Sequence, residues 1–292
     1  MKNNSENKNA VKLPTITLVT PSFNQAKFLE KTIVSVLSQE YPKLEYIVMD
    51  GGSVDGSVEI IKKYKNNLYY WQSGKDEGQG DAIINGWKMG RGEMIGWLNS
   101  DDVLMPDSLL RLGTLFSKGC YDVVTGETLC IDENDIISAY MLMWKGPLWM
   151  YRAALLHPGQ PGTFYSRNTV ERVDYFDKRL FCAMEFDLVM KMLKSGATIG
   201  SVPSAVAALR HHSETKSKQS AQIFLDENRR IFGEHATFPF NYGRLREFTV
   251  KLMKYPYALR YLKPSLFPET RKKITWLLKP TRLPLSVNYT PR

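Results

Sequence analysis

A chain of 292 residues that is 43% hydrophobic and 24% charged is long enough to bury a real core, and too apolar and aromatic to be disordered. Its net charge of +9 is unevenly placed: residues 243–292 hold twelve Lys/Arg and two Asp/Glu, which leaves 27 basic and 28 acidic residues in the first 242. A body so close to neutral argues against nucleic acid as the partner of the whole chain. The scattered Cys120, Cys130 and Cys182 argue against a disulfide frame or a zinc knuckle and suit a reducing compartment.

Residues Met1 to Lys12 are polar and Asn/Lys-rich, and they read as a disordered tail with no apolar run for a signal peptide. No stretch of the chain has the length and apolarity of a bilayer span, so the expectation is a cytoplasmic protein, or one peripheral on the cytoplasmic face of a membrane. Thr15 to Thr20 is a β-branched run that reads as a buried strand, broken by Pro21, Ser22 and Asn24. Phe28, Ile33, Val36 and Leu37 recur at helical spacing and predict a helix over Lys27 to Ser38. Tyr46 to Met49 follows as a strand, ended by Asp50-Gly51-Gly52, then a helix over Ser57 to Tyr64 and a strand over Leu68 to Trp71. Gln79 to Met89 reads as a helix and Met94 to Leu98 as a strand. Pro106 is placed one step into a helix ending near Phe116.

This alternation predicts an α/β sheet covered on both faces. From Tyr121 it weakens. Tyr121 to Cys130 and Thr163 to Ser166 read as strands, joined through the Pro/Gly-rich link His157–Gly162. Phe186 to Leu193 reads as a helix, Ala205 to Leu209 as a strand and Ala221 to Phe232 as a helix. Beyond Gly243 several prolines interrupt basic, aromatic segments. The expected organisation is a tail over 1–12, one domain over 13–242 and a basic, aromatic appendage over 243–292.

Three polar clusters, Pro21–Asn24, Asp50–Ser57 and Asn99–Asp102, each follow a strand. Open α/β sheets bind ligands outside the carboxyl ends of their strands, so the clusters are expected to converge on one crevice. The sharpest is Asn99-Ser100-Asp101-Asp102: carboxylates at the end of a buried strand suit magnesium or manganese, which take oxygen ligands and share them with substrate phosphates. Asp102 or Asp107 could instead cap the helix that follows. In Asp50-Gly51-Gly52-Ser53-Val54-Asp55-Gly56-Ser57 the glycines permit close approach to a ligand, while a plain strand-to-helix turn capped by Asp55 or Ser57 is the simpler alternative. The first strand leads into Pro-Ser-Phe-Asn rather than a Gly-x-Gly-x-x-Gly turn, which disfavours a dehydrogenase.

Together, ITLVTPSFNQAKFLEKTIVSVLSQEYPKLEYIVMDGGSVDGS, SGKDEGQGDAIINGWKMGRGEMIGWLNSDD and VLMPDSL resemble the inverting family 2 glycosyltransferases, over roughly Leu13 to His212. The resemblance implies a GT-A fold, a mixed central sheet flanked by helices, and a metal-dependent transfer of sugar from a nucleotide-diphosphate sugar, a UDP-sugar first among them, to an acceptor hydroxyl. It places Pro21 and Ser22 at the nucleotide, Asp50 at the base or ribose, and Asp76 and Asp81 in the donor pocket. Asn99-Ser100-Asp101 falls at the family's Asp-x-Asp position, with Asp101 as the ligand of Mg²⁺ or Mn²⁺ and Ser100 and Asp102 beside the donor. Gly51 stands where many relatives carry a second base-reading aspartate.

Ala183-Met184-Glu185-Phe186-Asp187-Leu188 resembles the segment that supplies the catalytic base, with Glu185 in that position. The simpler alternative is an acidic residue near a helix N-terminus, favoured by the dipole. In Leu209-Arg210-His211-His212 the resemblance assigns Arg210 to the diphosphate and His212 to metal or phosphate, against a solvated basic turn. His157 and Gln160 fall where relatives face a saccharide or lipid-linked acceptor. The family's use in surface polysaccharide or glycolipid synthesis sets the expected context. The basic residues of 243–292, interleaved with aromatics, suit an anionic membrane surface. Two other readings compete: a catalytically inactive nucleotide-sugar-binding partner of another transferase, kept open by Asn99, Gly51 and Glu185, and a nucleic-acid-binding protein acting through the basic tail.

Overall fold

The computed structural model describes residues 12–141, 159–213, 215 and 220–235. His157 and the 243–292 appendage lie outside the described residues. In chain order the elements are β1 (Ile16–Ser22), α1 (Ala26–Leu37), β2 (Leu44–Asp50), α2 (Ser57–Tyr64), β3 (Tyr70–Ser73), α3 (Gln79–Met89), β4 (Met94–Trp97), β5 (Val103–Leu104) and α4 (Ser108–Phe116). There follow β6 (Val123–Ile131), β7 (Ile137–Met141), β8 (Phe164–Ser166), α5 (Arg167–Arg172), α6 (Met184–Lys194), β9 (Ile199–Arg210) and α7 (Ala221–His235).

The described strands form one mixed sheet in the order β3-β2-β1-β4-β8-β6-β9-β5, with β7 paired to β6. β1 is parallel to β2 and to β4, and β2 to β3. β8 runs antiparallel to both β4 and β6, and β6 is parallel to β9. The carboxyl ends of β1, β2, β3, β4 and β9 therefore share one edge of the sheet. Alternation along the strands fills both faces. Ile16, Leu18, Tyr46 and Val48 pack with Leu29, Ile33 and Val36 of α1, while Val19, Ile47 and Met49 pack with Ile83 and Trp87 of α3 and with α6.

Four of the differences from the sequence reading have a clear physical cause. β1 continues through Pro21 to Ser22, pairing Ser22 with Asp50 of β2. The proline is tolerated because its nitrogen faces the β4 side, where the β1–β4 pairing already ends at Val19–Trp97. β3 begins at Tyr70 rather than Leu68 because a short 3₁₀ turn, Lys65–Asn67, follows α2. Pro106 stands before α4 rather than inside it, with Asp107 left-handed (φ 59°) at the N-cap position and making no capping bond. β9 is much longer than Ala205–Leu209. Its register to β6 steps from Gly126–Val202 to Glu127–Ala205, so Pro203 and Ser204 lie in an irregularity that needs no donor from proline.

Candidate active site

A cleft of about 640 Å³ opens along the shared carboxyl edge. One wall comes from the loops after β1 to β4: Pro21, Ser22, Phe23, Gln25, Gly51, Lys75, Asp76, Asn99, Ser100 and Asp101. The other comes from Leu209 and His212 at the end of β9, from Cys182, Met184 and Glu185 at the start of α6, and from Phe224 of α7, with Gln160 and Trp97 between. Residues separated by up to two hundred positions are thus brought together by the sheet order.

The loop after β4 is held from below. The buried Thr32 hydroxyl of α1 donates to the Ser100 and Asp102 carbonyls at 2.9 and 2.7 Å. The Asp102 carboxylate accepts the Arg210 backbone N–H at 2.9 Å and the Asn99 amide at 3.3 Å. It is fully buried. Burial, and then the charge of Asp101, push its pKa well above the usual carboxylate value. Asp102 therefore caps no helix and faces away from the cleft. Asn99 is tied in turn to Gln79 of α3, whose amide donates to it at 2.8 Å.

Asp101 does line the cleft, and its Oδ2 lies 3.0 Å from Nε2 of His212. His212 is buried against the Phe28 ring, with centroids 4.9 Å apart. The two residues assigned to a metal are therefore neighbours at one wall. Among the described residues no group of three or more His, Cys, Asp or Glu could hold a cation. A carboxylate and an imidazole nevertheless fit a magnesium- or manganese-type ion that completes its shell with diphosphate oxygens and water.

Arg210 goes elsewhere than its assignment. It has no exposed surface and does not line the cleft. Its Nε donates to the Asp101 carbonyl at 2.8 Å, and Nη1 to the Asp132 carbonyl at 2.9 Å and to Asp135 Oδ1 at 2.7 Å. Its guanidinium carbon sits 4.9 Å from the Phe28 ring centroid. Lys31 of α1 meets Asp135 at 2.7 Å, and Lys27 pairs with Glu133. Burial raises the Asp135 carboxyl, but the bonds from Lys31 and Arg210 outweigh it and leave the pKa below the ordinary value. The hairpin turn between β6 and β7 is thereby fastened beneath the Asp101 loop.

Asp50 is buried as well, and its carboxylate organises the turn that follows: Oδ2 accepts from the backbone N–H of Gly52 and Ser53 and from the Ser73 hydroxyl, at 3.1, 2.9 and 2.6 Å. Asp55 accepts the Ser57 N–H at 3.0 Å, starting α2, and the Ala26 N–H at 2.9 Å, starting α1. Asp55 thus organises the turn, but the N-cap of α2 is Gly56 rather than Asp55 or Ser57, and one carboxylate serves the starts of two helices. Gly51 lines the cleft between Phe23 and Asp76, and a Cβ there would meet Asp76 Oδ2 at 3.2 Å. Asp81, on α3, faces out of the cleft lining and contacts Lys178 and Asn85 at 3.3 and 3.0 Å.

Glu185 stands in the first turn of α6 and borders the cleft. Burial, chiefly, raises its carboxyl from 4.5 to about 7, with the charge of Glu227 adding to the effect. Beneath it Trp97 stacks on Tyr165 at 5.8 Å and 18°, forming an apolar floor. Gln160 donates to the Trp97 carbonyl at 2.8 Å, and its buried Oε1 meets no donor among the described residues. The sequence reading gave no role to Phe23, Lys75, Gln79 and Met184, although they lie within its motif stretches, and missed Phe224, which carries no motif.

The family model described as Glycosyl transferase family 2 matches residues 17–180, more than half of the chain. The chain belongs to glycosyl transferase family 2. Relatives include the poly(ribitol-phosphate) beta-N-acetylglucosaminyltransferase TarP of Staphylococcus aureus, 27% identical over 61% of this chain and 48% of TarP. The putative teichuronic acid biosynthesis glycosyltransferase TuaG of Bacillus subtilis is 26% identical over 44% of this chain and 52% of TuaG. The chain spans about half the length, or less, of the curated relatives it matches. Among solved structures, S. aureus TarS 1–349 in complex with UDP-GlcNAc superposes with a TM-score of 0.63 at 17% identity, covering 90% of this chain and 78% of that one. The mannosyltransferase PcManGT of Pyrobaculum calidifontis, in complex with GDP-Man and Mn²⁺, gives 0.59 at 16% identity, covering 95% and 88%. These likenesses establish the GT-A fold for the glycosyltransferase family 2 chain. No described helix is long and apolar enough to cross a membrane.

Proposed function

We propose that this family 2 chain is an inverting glycosyltransferase that moves a sugar from a nucleotide-diphosphate sugar to an acceptor hydroxyl in surface polysaccharide or glycolipid synthesis. The observation that carries the reading is a carboxyl poised near pH 7, Glu185, facing the same cleft as the Asp101–His212 pair. A base works best when its pKa lies near the operating pH, and burial has moved Glu185 there. Glu185 takes the acceptor hydroxyl's proton as that oxygen bonds to the anomeric carbon. The bond from that carbon to the diphosphate breaks, and its electron pair leaves on the diphosphate.

Asp101 and His212 would hold Mg²⁺ or Mn²⁺, which supplies charge compensation for the departing diphosphate. The exposed Lys75 adds a cation at the same wall. Pro21, Ser22, Gly51 and Asp76 shape the donor half, while Asp50, Asp102 and Arg210 support it from behind. The Gln160 oxygen, which meets no donor among the described residues, offers an acceptor for a sugar hydroxyl. The neighbours' UDP-GlcNAc, UDP and GDP-Man ligands support a nucleotide-sugar donor. The poly(ribitol-phosphate) and teichuronic acid activities of TarP and TuaG support a cell-surface polymer as the acceptor class. Glu185→Gln is the test: it keeps nucleotide binding and loses transfer, and transfer at the wild-type rate by this variant would refute the assignment.

The basic, aromatic residues 243–292 complete the proposal as an attachment to anionic membrane, where lipid-linked acceptors lie. The full-length chain should sediment with phosphatidylglycerol vesicles at low salt and be released at high salt, and failure to sediment would remove this element.

A further inference from the structure

We propose that Glu227 is a positioning residue for Glu185, holding in place the start of the helix that presents this carboxyl to the cleft. The inference rests on the reading of Glu185 as the base. A helix begins with N–H groups that have no intrahelical partner, and a Ser, Thr, Asp or Asn at the N-cap usually satisfies one. The N-cap of α6 is Ala183, which has no side chain able to do so. A carboxylate from α7 instead holds the backbone that leads into the helix, up to the N–H of the N-cap residue itself. Glu227 Oε1 accepts the Phe181 N–H at 2.7 Å, and Oε2 accepts those of Cys182 and Ala183 at 2.9 and 3.0 Å. Three successive donors thus converge on one anion at the positive end of the helix dipole.

Phe181, Cys182, Met184 and Glu185 all line the cleft, and so does Phe224, one turn before Glu227 on α7. The contact therefore ties two pieces of one cleft wall together and sets where the Glu185 backbone starts. α7 lies beyond residues 17–180, the stretch matched by the family model. The positioning group comes from this chain's own C-terminal part. Proton abstraction is sensitive to placement, and a displacement of about 1 Å can cost about 100-fold.

Glu227 of α7 and Tyr165 of β8 interact electrostatically with Glu185, and Lys75, Asp76, Asp101, Cys182 and His212 are the other titratable groups lining its cleft. Glu227 is the one whose charge adds to the rise at Glu185, so removing it should move the acid limb of the rate profile to lower pH.

The test uses the full-length protein with Mn²⁺ and whichever of UDP-GlcNAc and GDP-mannose the wild type hydrolyses. Glu227→Gln is expected to lower kcat about 10- to 100-fold with KM within about twofold, to shift the acid limb downward, and to speed amide exchange at Phe181 to Ala183. Glu227→Asp, which keeps the charge, should hold the limb at its wild-type pH. A merely structural residue would reduce the folded fraction and leave the limb of the remaining enzyme unmoved. A Glu227→Gln enzyme with wild-type kcat and limb, alongside an inactive Glu185→Gln, would overturn this inference alone. An active Glu185→Gln would overturn the base assignment and this inference with it.

Discussion

Glu185→Gln should make the protein more stable above neutral pH while it stops turnover. Glu185 has an ordinary value of 4.5 and is raised to about 7 in the fold, first by burial and then by the charge of Glu227. Between those values the folded chain holds a proton that the unfolded chain has released. Stability therefore falls as pH rises through this window and levels off above it. The gap corresponds to at most about 3 kcal/mol, the partial exposure of the carboxyl making this an upper figure. Gln has nearly the shape of the protonated side chain and does not titrate. Urea unfolding of both proteins at pH 4.5, 6, 7 and 8.5 should give similar stabilities at the lowest pH and a gap favouring Gln that grows to at most about 3 kcal/mol. A difference that stays constant across the series would refute the reasoning.

Arg210→Lys is expected to destabilise by about 3 kcal/mol and to weaken nucleotide binding. Lysine cannot reach the Asp101 and Asp132 carbonyls and Asp135 at once, and a buried carboxylate would lose its fork-shaped partner; thermal unfolding and titration calorimetry read the two effects. Gly80→Ala puts a Cβ 2.8 Å from the Lys178 carbonyl oxygen and 3.0 Å from its Cα. Because these are backbone atoms, the segment before α6 must shift away from α3, costing about 1–3 kcal/mol in unfolding measurements and lowering kcat by displacing the wall that carries Glu185.

The first half of the chain was legible because β1, β2 and β4 are short apolar runs buried on both faces of the sheet and each helix carries its own spacing, as in Phe28, Ile33 and Val36. Legibility ended where tertiary pairing replaced local pattern. β9 hides its first half behind Pro203, and β5 is two residues long, ordered by its pairing with Ala207 and Ala208. The motif residues after β4 were found, but direction was not: Asp101 and Asp102 are adjacent, and only one faces the cleft. Arg210 looks like a phosphate ligand in sequence, yet the charges that claim it, Asp135 above all, sit on a hairpin far upstream. Glu227 carries no motif, since its role depends on an alanine at a helix start reached only through the packing of α6 on α7.

The most direct test of the central claim is calorimetric titration of the full-length protein with UDP, GDP and dTDP, first with Mn²⁺ and then with EDTA, repeated on Asp101→Ala. The account predicts that one nucleotide binds, that EDTA weakens it, and that Asp101→Ala abolishes the metal-dependent part. Folded protein that binds none of the three with metal present, or an Asp101→Ala variant that binds as tightly as wild type, would contradict it.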